Sequence, residues 1–444
     1  MDTQFRNPKI KSFLTSSFAK LMFVSLGLLP VVTYAQSDNS EFKFGRTTGQ
    51  QAEIFLQNKP EGPNAVPVPR FTLQTTNDKF WLTIGGFIQP IMGMDIGNTL
   101  DGCMYFSPSN ISNVPAVKGQ KADFFINPLN SSVDFQVIGF PHTCNQLVGY
   151  VKFDFTAGTN DKYAGLSSAY IKYRGFLAGY NYSLFTDVRS LPATISWSGV
   201  TGNNWSKAYQ VSYNSPSFSG FGFGVSVAQP SFHEGSLKYE GKDYPDFDGD
   251  EVIGKATQPV PDIPFYLQYQ WKKAGHIRLS GLVRNFNYVD KVKDRVRNTT
   301  GLGVQLSTSL KLADPLTFYG QCIYGKGIAN YISGMQYLPV SYLPSDSEPG
   351  KIKATEMMGW LAALKCYVTP DIYLNAAFGQ SRIFGVNDKY WDKYHYGLDS
   401  RFSIFYNITP YIRTAVEYLW AKQVQFDHQS ASVNRIQAMV MFSL

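Results

Sequence analysis

The chain has 444 residues, of which 44% are hydrophobic, 15% aromatic and only 16% charged, with a net charge of +7. Mean hydropathy is −0.18, and past the N-terminus no run of about 18 apolar residues recurs, which excludes a helical membrane protein. Many aromatics, few charges and plentiful glycine suit strands and turns.

The first element is an export signal. Arg6, Lys9, Lys11 and Lys20 precede the apolar run LMFVSLGLLPVV, and TYAQ follows with small Thr33 and Ala35 at cleavage-site spacing. The run is too short for the roughly 20 residues of a spanning helix, and Pro30 interrupts it. A signal peptide over 1–35, cut after Ala35, is expected; no Cys follows the cut, which argues against a lipid anchor. Its removal takes away four cations and one acid and lowers the net charge from +7 to +4, no footprint of a nucleic-acid binder. An oxidising destination would allow disulfides among the four Cys. Cys322 and Cys366 fall on apolar strand faces, Cys103 in a long connection and Cys144 in a short turn, so we read them as small hydrophobes rather than as a bridge.

Residues 36–74 form the next unit. Polar and Pro-rich stretches over 36–70 predict a mostly extended or disordered periplasmic lead-in, with a short helix near 49–57.

From Phe80 onward one pattern repeats. Strand-like segments of about ten residues are joined alternately by tight turns and by longer polar loops. The tight turns fall at 141–146, 174–175, 214–220, 272–275, 313–315, 369–371 and 407–410. The long connections fall near 96–130, 158–164, 186–205, 231–262, 290–297, 326–353, 383–393 and 423–431. Seven short and eight long connections join sixteen segments, so one end of the sheet is trimmed and the other decorated. That asymmetry is the habit of transmembrane β-barrels.

The segments alternate. In 411–423, Ile412, Thr414, Val416, Tyr418 and Trp420 oppose Arg413, Ala415, Glu417 and Ala421; in 276–288, Ile277, Leu279 and Val283 oppose Arg278, Ser280 and Arg284. In 394–406 the apolar set opposes His395, Asp399, Arg401 and Ser403, and in 147–155 it opposes Lys152 and Asp154. A cation facing lipid at mid-membrane costs roughly 2–4 kcal/mol, whereas one facing a wet lumen costs little. The charged face is therefore the inner one. A spanning sheet must also close, because its edge groups cannot stay unpaired in hydrocarbon. Some sixteen strands leave a bore wide enough for water. The expected fold is thus an all-β, antiparallel up-and-down transmembrane barrel over 75–444. Its closing strand is SVNRIQAMVMFSL, which ends on Leu444 where such barrels usually end on an aromatic residue.

Strand parity places Lys152, Lys172, Arg278, Arg284, Lys365, Arg401, Arg413 and Arg435 in the lumen, against Asp154, Asp399 and Glu417. Excess cations on a pore wall favour anions; the alternative is an ion-pair ladder that stiffens the wall, as Arg413 with Glu417 could form. The connection SLFTDVRSLPATISWSGVTGNNW, 183–205, is too apolar to wave in water and is expected to fold into the barrel mouth as a constriction, with Arg189 on it; the alternative is packing at a subunit contact. DYPDFDGDE, 243–251, reads as a solvated acidic loop rather than a calcium site, since Glu251 stands where the turn wants Gly. Neither the five His nor any nucleophile motif has metal or catalytic spacing, so no cofactor is implied.

The stretch NDKFWLTIGGFIQPIMGMD at the first strand resembles the opening strand of the DcaP-like outer-membrane porins. So do GFLAGYNYSLFTDVRSLPATISWSGVTG (175–202), PDIPFYLQYQWKKAGHIRLSGLVRNF (261–286), YGKGIANYISG (324–334), and VEYLWAKQ followed by NRIQAMVMF (416–423, 434–442). The resemblance spans roughly 75–444 and implies a sixteen-stranded homotrimeric porin in the outer membrane of a Gram-negative cell, surrounded by lipid and passing small anionic solutes such as dicarboxylates. It also implies that the loop matching 186–204 narrows the pore, with Arg189 at the eyelet. Two other readings compete: an outer-membrane barrel enzyme of lipase or protease type, and a secreted soluble glycan-binding β protein.

Overall fold

The computed structural model describes residues 42–58, 71–100, 106–118, 122–155, 164–230, 258–272, 274–336, 338, 340–345, 348, 350–385 and 394–443. The expected export signal with Ala35, Cys103 and the acidic stretch 243–251 lie outside the described residues.

Before the wall come β1 (Phe42–Arg46), the helix α1 (Gly49–Asn58) and β2 (Phe71–Thr75). The first wall strand is β3 (Phe80–Ile88) continued by β4 (Ile91–Ile96); the second is β5 (Asp123–Asn127) continued by β6 (Ser132–Gly139). The next are β7 (Leu147–Asp154), β8 (Gly165–Tyr173), β9 (Phe176–Tyr182), β10 (Lys207–Asn214), β11 (Phe221–Pro230) and β12 (Ile263–Trp271). β13 (Gly275–Asp290), β14 (Arg295–Lys311) and β15 (Leu316–Lys326) follow, then a small ribbon of β16 (Tyr342–Pro344) and β17 (Ile352–Ala354). β18 (Glu356–Tyr367), β19 (Ile372–Phe384), β20 (Tyr394–Thr409), β21 (Ile412–Gln425) and β22 (Ser430–Ser443) complete the wall.

Each wall strand pairs antiparallel with its neighbour, and β22 returns to the first strand through Asn434↔Ile96 to Met439↔Ile91 and Ser443↔Phe87. The result is a closed barrel of sixteen strands, as the alternation predicts. Closure leaves no lateral row of unpaired backbone groups. Two neighbouring strands are kinked at one level. Pro90 has no N–H for the ladder, and beside it Gln89 N donates to Ser131 Oγ at 2.9 Å in the break between β5 and β6. The tight turns need unusual backbone: Arg174 and Gly175 both have positive φ (46° and 85°), the geometry of a two-residue hairpin whose twist matches its strands.

The two faces separate cleanly. On β21, Val416 is 51% exposed and its neighbour Ala415 only 2%. The outer face carries Met92, Ile171, Val211, Leu267, Leu279 and Val440, all exposed. Near the short turns it carries a girdle of Phe80, Tyr173, Phe176, Phe221, Trp271 and Tyr411, placed where aromatic rings meet a membrane–water interface. A bulge between Tyr394 and Tyr396 breaks the parity at His395, whose ring instead stacks on Phe426 at 4.3 Å.

The lead-in is tied down. The helix expected near 49–57 is Gly49–Asn58, β1 pairs with β2 over its whole length, and β2 pairs with the start of β3. No described helix is long and apolar enough to cross a membrane.

Candidate channel interior

Strand parity brings charged side chains inward, and the wall then meets them with loops. The connection between β9 and β10, residues 183–206, lies almost wholly buried inside the barrel, as its apolar composition leads one to expect. Its backbone polar groups cannot find water there, so wall side chains satisfy them. Glu417 Oε2 accepts from Ile195 N at 3.2 Å, and both Asp399 oxygens accept from Thr201 N at 3.1 and 3.2 Å. Asn375 Nδ2 donates to Ala193 O at 2.8 Å, and Gln321 Oε1 accepts from Asn204 N at 2.9 Å. At Gly202 the loop lies flush on the wall: a Cβ there would meet Gln380 O at 2.1 Å, and one on Gly379 would meet Thr201 O at 2.0 Å. Glycines on both sides of the contact let backbone touch backbone.

The near end of the loop is held by Asp187. Its Oδ2 lies 2.8 Å from His276 Nε2 on β13 and accepts from Ser307 Oγ on β14 at 2.6 Å. Burial pushes this carboxyl up, but His276, Arg278 and Ser307 outweigh burial and hold it at about 2. The three side-chain types are those of a hydrolase triad, but the order is wrong for one. The carboxylate stands between serine and imidazole, so the hydroxyl bonds to the carboxylate and not to the imidazole as a triad requires; the trio is an anchor.

Two further connections fold inward that the sequence reading left outside. Residues 327–341 bury Ile328, Tyr331, Ile332 and Met335 against Phe185, Leu282 and Ile383. This loop also bridges the first one: Gly202 N donates to Ser333 O at 2.9 Å and Ser333 N to Asn203 O at 2.8 Å. The apolar spacing of Ile328, Tyr331, Ile332 and Met335 was the available signal. The third inward piece follows β4, where Phe106 is buried with its ring 5.2 Å from the guanidinium carbons of both Arg401 and Arg435. Its carbonyl accepts from Ser198 Oγ at 2.8 Å.

A model of the porin subfamily matches residues 146–440, about two thirds of the chain. The chain belongs to that porin family. Among solved structures the barrel is similar to the outer-membrane channel DcaP of Acinetobacter baumannii, 18% identical, with a TM-score of 0.68 over 84% of this chain and 99% of that one. It is also similar to an anion-selective porin from Comamonas acidovorans, 9% identical, with a TM-score of 0.52 over 82% of this chain and all (100%) of that one. The trimer form of OmpT from Vibrio cholerae, 11% identical, scores 0.50 over 83% and 100%. At such identities the likeness is one of fold. Among curated proteins none matches by sequence. Family and barrel together make this an integral outer-membrane porin.

Within the porin the inward cations divide into two sets. Arg284, Arg401 and Arg435 are at most 3% exposed. Arg435 grips Asp95 through two bonds of 2.6 and 2.9 Å, Arg401 binds Asp399 at 2.7 Å, and Arg284 meets Asp262 at 3.0 Å while donating to Gly327 O and Asn330 Oδ1. These sit in the middle and outer parts of the wall and hold the inward loops. Glu417 belongs with them, fully buried and bonded to Ser403, Gln437 and the loop, 4.0 Å from Arg401. It does not meet Arg413, which donates to Asn407 Oδ1 at 2.7 Å.

The second set is partly exposed: Lys152, Lys172, Arg278, Lys365 and Arg413 on the wall, and Arg189 on the inward loop. Lys172, Arg278, Lys365 and Arg413 lie in the short-turn half of their strands, and Lys152 past the middle of β7. Aromatic rings position several of them, Arg278 at 3.7 Å over Tyr266, Lys365 at 4.2 Å over Tyr373 and Lys152 at 5.5 Å over Phe87. Arg189 donates to Gln270 Oε1 at 3.0 Å and Lys172 to Asn58 Oδ1 at 3.2 Å. Sequence reasoning missed Asp95 and Asp262, which use up Arg435 and Arg284, and His276, which holds Asp187. Asp95 and His276 lie far along the chain from what they bind, Asp262 precedes its strand at the end of a long connection, and no local pattern marks them.

Proposed function

We propose that this porin passes small hydrophilic solutes by passive diffusion and prefers anions, dicarboxylates among them. One observation carries the reading. Among the described inward wall residues of the short-turn half, every charged side chain that water reaches is a cation, while the inward acids Asp134, Asp154, Asp262, Asp399 and Glu417 are buried. Asp262, Asp399 and Glu417 are spent on arginines and the inward loop, Asp134 stands across the ladder from Lys152 and Asp154 acts on Lys207, so the potential felt by a solute is weighted toward the exposed cations. Arg189 stands on the loop that narrows the bore and adds to the same sign. The proposed trimer draws support from the trimeric form of the OmpT neighbour, and a bilayer is the natural cover for the apolar belt. Export depends on the signal expected over 1–35.

Liposome swelling tests the reading. Vesicles bearing the protein should admit succinate faster than an uncharged solute of equal size. Arg278→Glu with Arg413→Glu should abolish that preference, and an unchanged ratio in the double variant would refute the assignment of these cations.

A further inference from the structure

The helix α1 sits inside the barrel wall at its short-turn mouth. Thr48 N donates to Gln51 Oε1 at 2.9 Å and Gln51 N to Thr48 Oγ1 at 3.3 Å, a reciprocal cap that starts the helix. Gln51, Phe55 and Asn58 then share one buried face. Phe55, fully buried, packs on Trp81, Ile138 and Val148, which occupy inward positions of β3, β6 and β7 close to the short turns. The far end of the helix is received by the wall as well. Gln136 Nε2 donates to Phe55 O at 3.4 Å, Tyr170 Oη to Asn58 O at 2.6 Å, and Lys172 adds its positive charge beside that terminus.

The flanking strands fix the seat. β22 meets β3 only at Phe87 and Ile88, which leaves the lower edge of β3 open, and β2 fills it through Thr72–Gln74. Gln51 Nε2 donates to Gln74 Oε1 at 2.6 Å, joining helix to strand. The other face of α1, with Gln50, Glu53, Leu56 and Gln57, is exposed. The wall strands that seat α1, β3 and β6 to β8, are different from those that anchor residues 183–206.

We infer that α1 is a second restriction of the passage, built into the short-turn mouth, which together with the 183–206 loop sets the size of solute admitted; the inference rests on the porin reading. A helix with its side chains is about 10–12 Å across, a large obstruction in a bore that one inward loop already narrows. Nothing in the wall requires a helix there to close the sheet, since β2 alone completes the edge of β3.

The test is single-channel recording, with sugar-size exclusion in liposomes, on three full-length proteins. These are the unmodified chain, one with residues 49–58 replaced by a Gly/Ser linker of equal length, and Phe55→Asp, which keeps the helix but makes its seat untenable. Both altered proteins should conduct about 1.5-fold or more above the unmodified channel, in view of the ~10–12 Å section cleared, and should admit larger neutral sugars. Wild-type conductance and an unchanged size limit in the linker protein would overturn the inference. Silent membranes with the unmodified protein would overturn the porin reading itself.

Discussion

Arg435 and Asp95 show what one residue pair does in this barrel. Both are buried on the inner wall and bonded twice, and Phe106 and Phe125 cover the guanidinium. Removing one partner strands the other charge away from water, at a cost of about 3–5 kcal/mol. Arg435→Met should therefore lower the unfolding midpoint in urea markedly, and Asp95→Leu with Arg435→Met should recover most of the loss; equal loss in both would mean that the charge pair is not the cause. Asp187 makes a pH statement. Its carboxyl falls from an ordinary 3.8 to about 2 in the folded protein, so its contribution to holding the loop is complete above about pH 4 and disappears as pH falls through about 2. Channel conductance should be steady down to pH 4 and change below it, and Asp187→Asn should remove that change; an identical low-pH response in the variant would contradict the assignment.

At the scale of elements, the inward loop and the lipid-facing strand behave oppositely. Deleting 187–203 should raise single-channel conductance, and an unaltered value would rule that loop out as the constriction. Val416→Arg places a cation against hydrocarbon at a cost of roughly 2–4 kcal/mol and should reduce the assembled fraction, seen as loss of the heat-modifiable band; normal assembly would undo the assignment of faces. The strands themselves were legible, because a lipid-facing side and a lumen-facing side impose a period of two on every segment. Position inside the barrel does not tell whether a side chain is wet. Ala415 and Arg401 share the inward parity of Arg413, yet Ala415 packs on Ile195 and Arg401 lies under Phe106. Those contacts join residues hundreds of positions apart, and only the docked loops reveal them. A short helix near 49–57 was legible in the sequence; its cap and the seat of Phe55 on Trp81 and Val148 were not.

For the whole molecule, loops and a helix fold inside a cylinder whose outside is dressed for lipid. Arg284, Arg401 and Arg435 are consumed as internal ties, so the number of lumen cations overstates the charge that a solute meets. In the porin that remains, Lys152, Arg278, Lys365 and Arg413 on the wall and Arg189 on the inward loop stay partly exposed. The most direct measurement is the zero-current potential of the purified protein in a planar bilayer under a salt gradient. A water-filled channel whose wet charges are cations gives ohmic conductance and a reversal potential displaced toward that of the anion. A membrane that stays silent, or a reversal potential on the cation side, would contradict it.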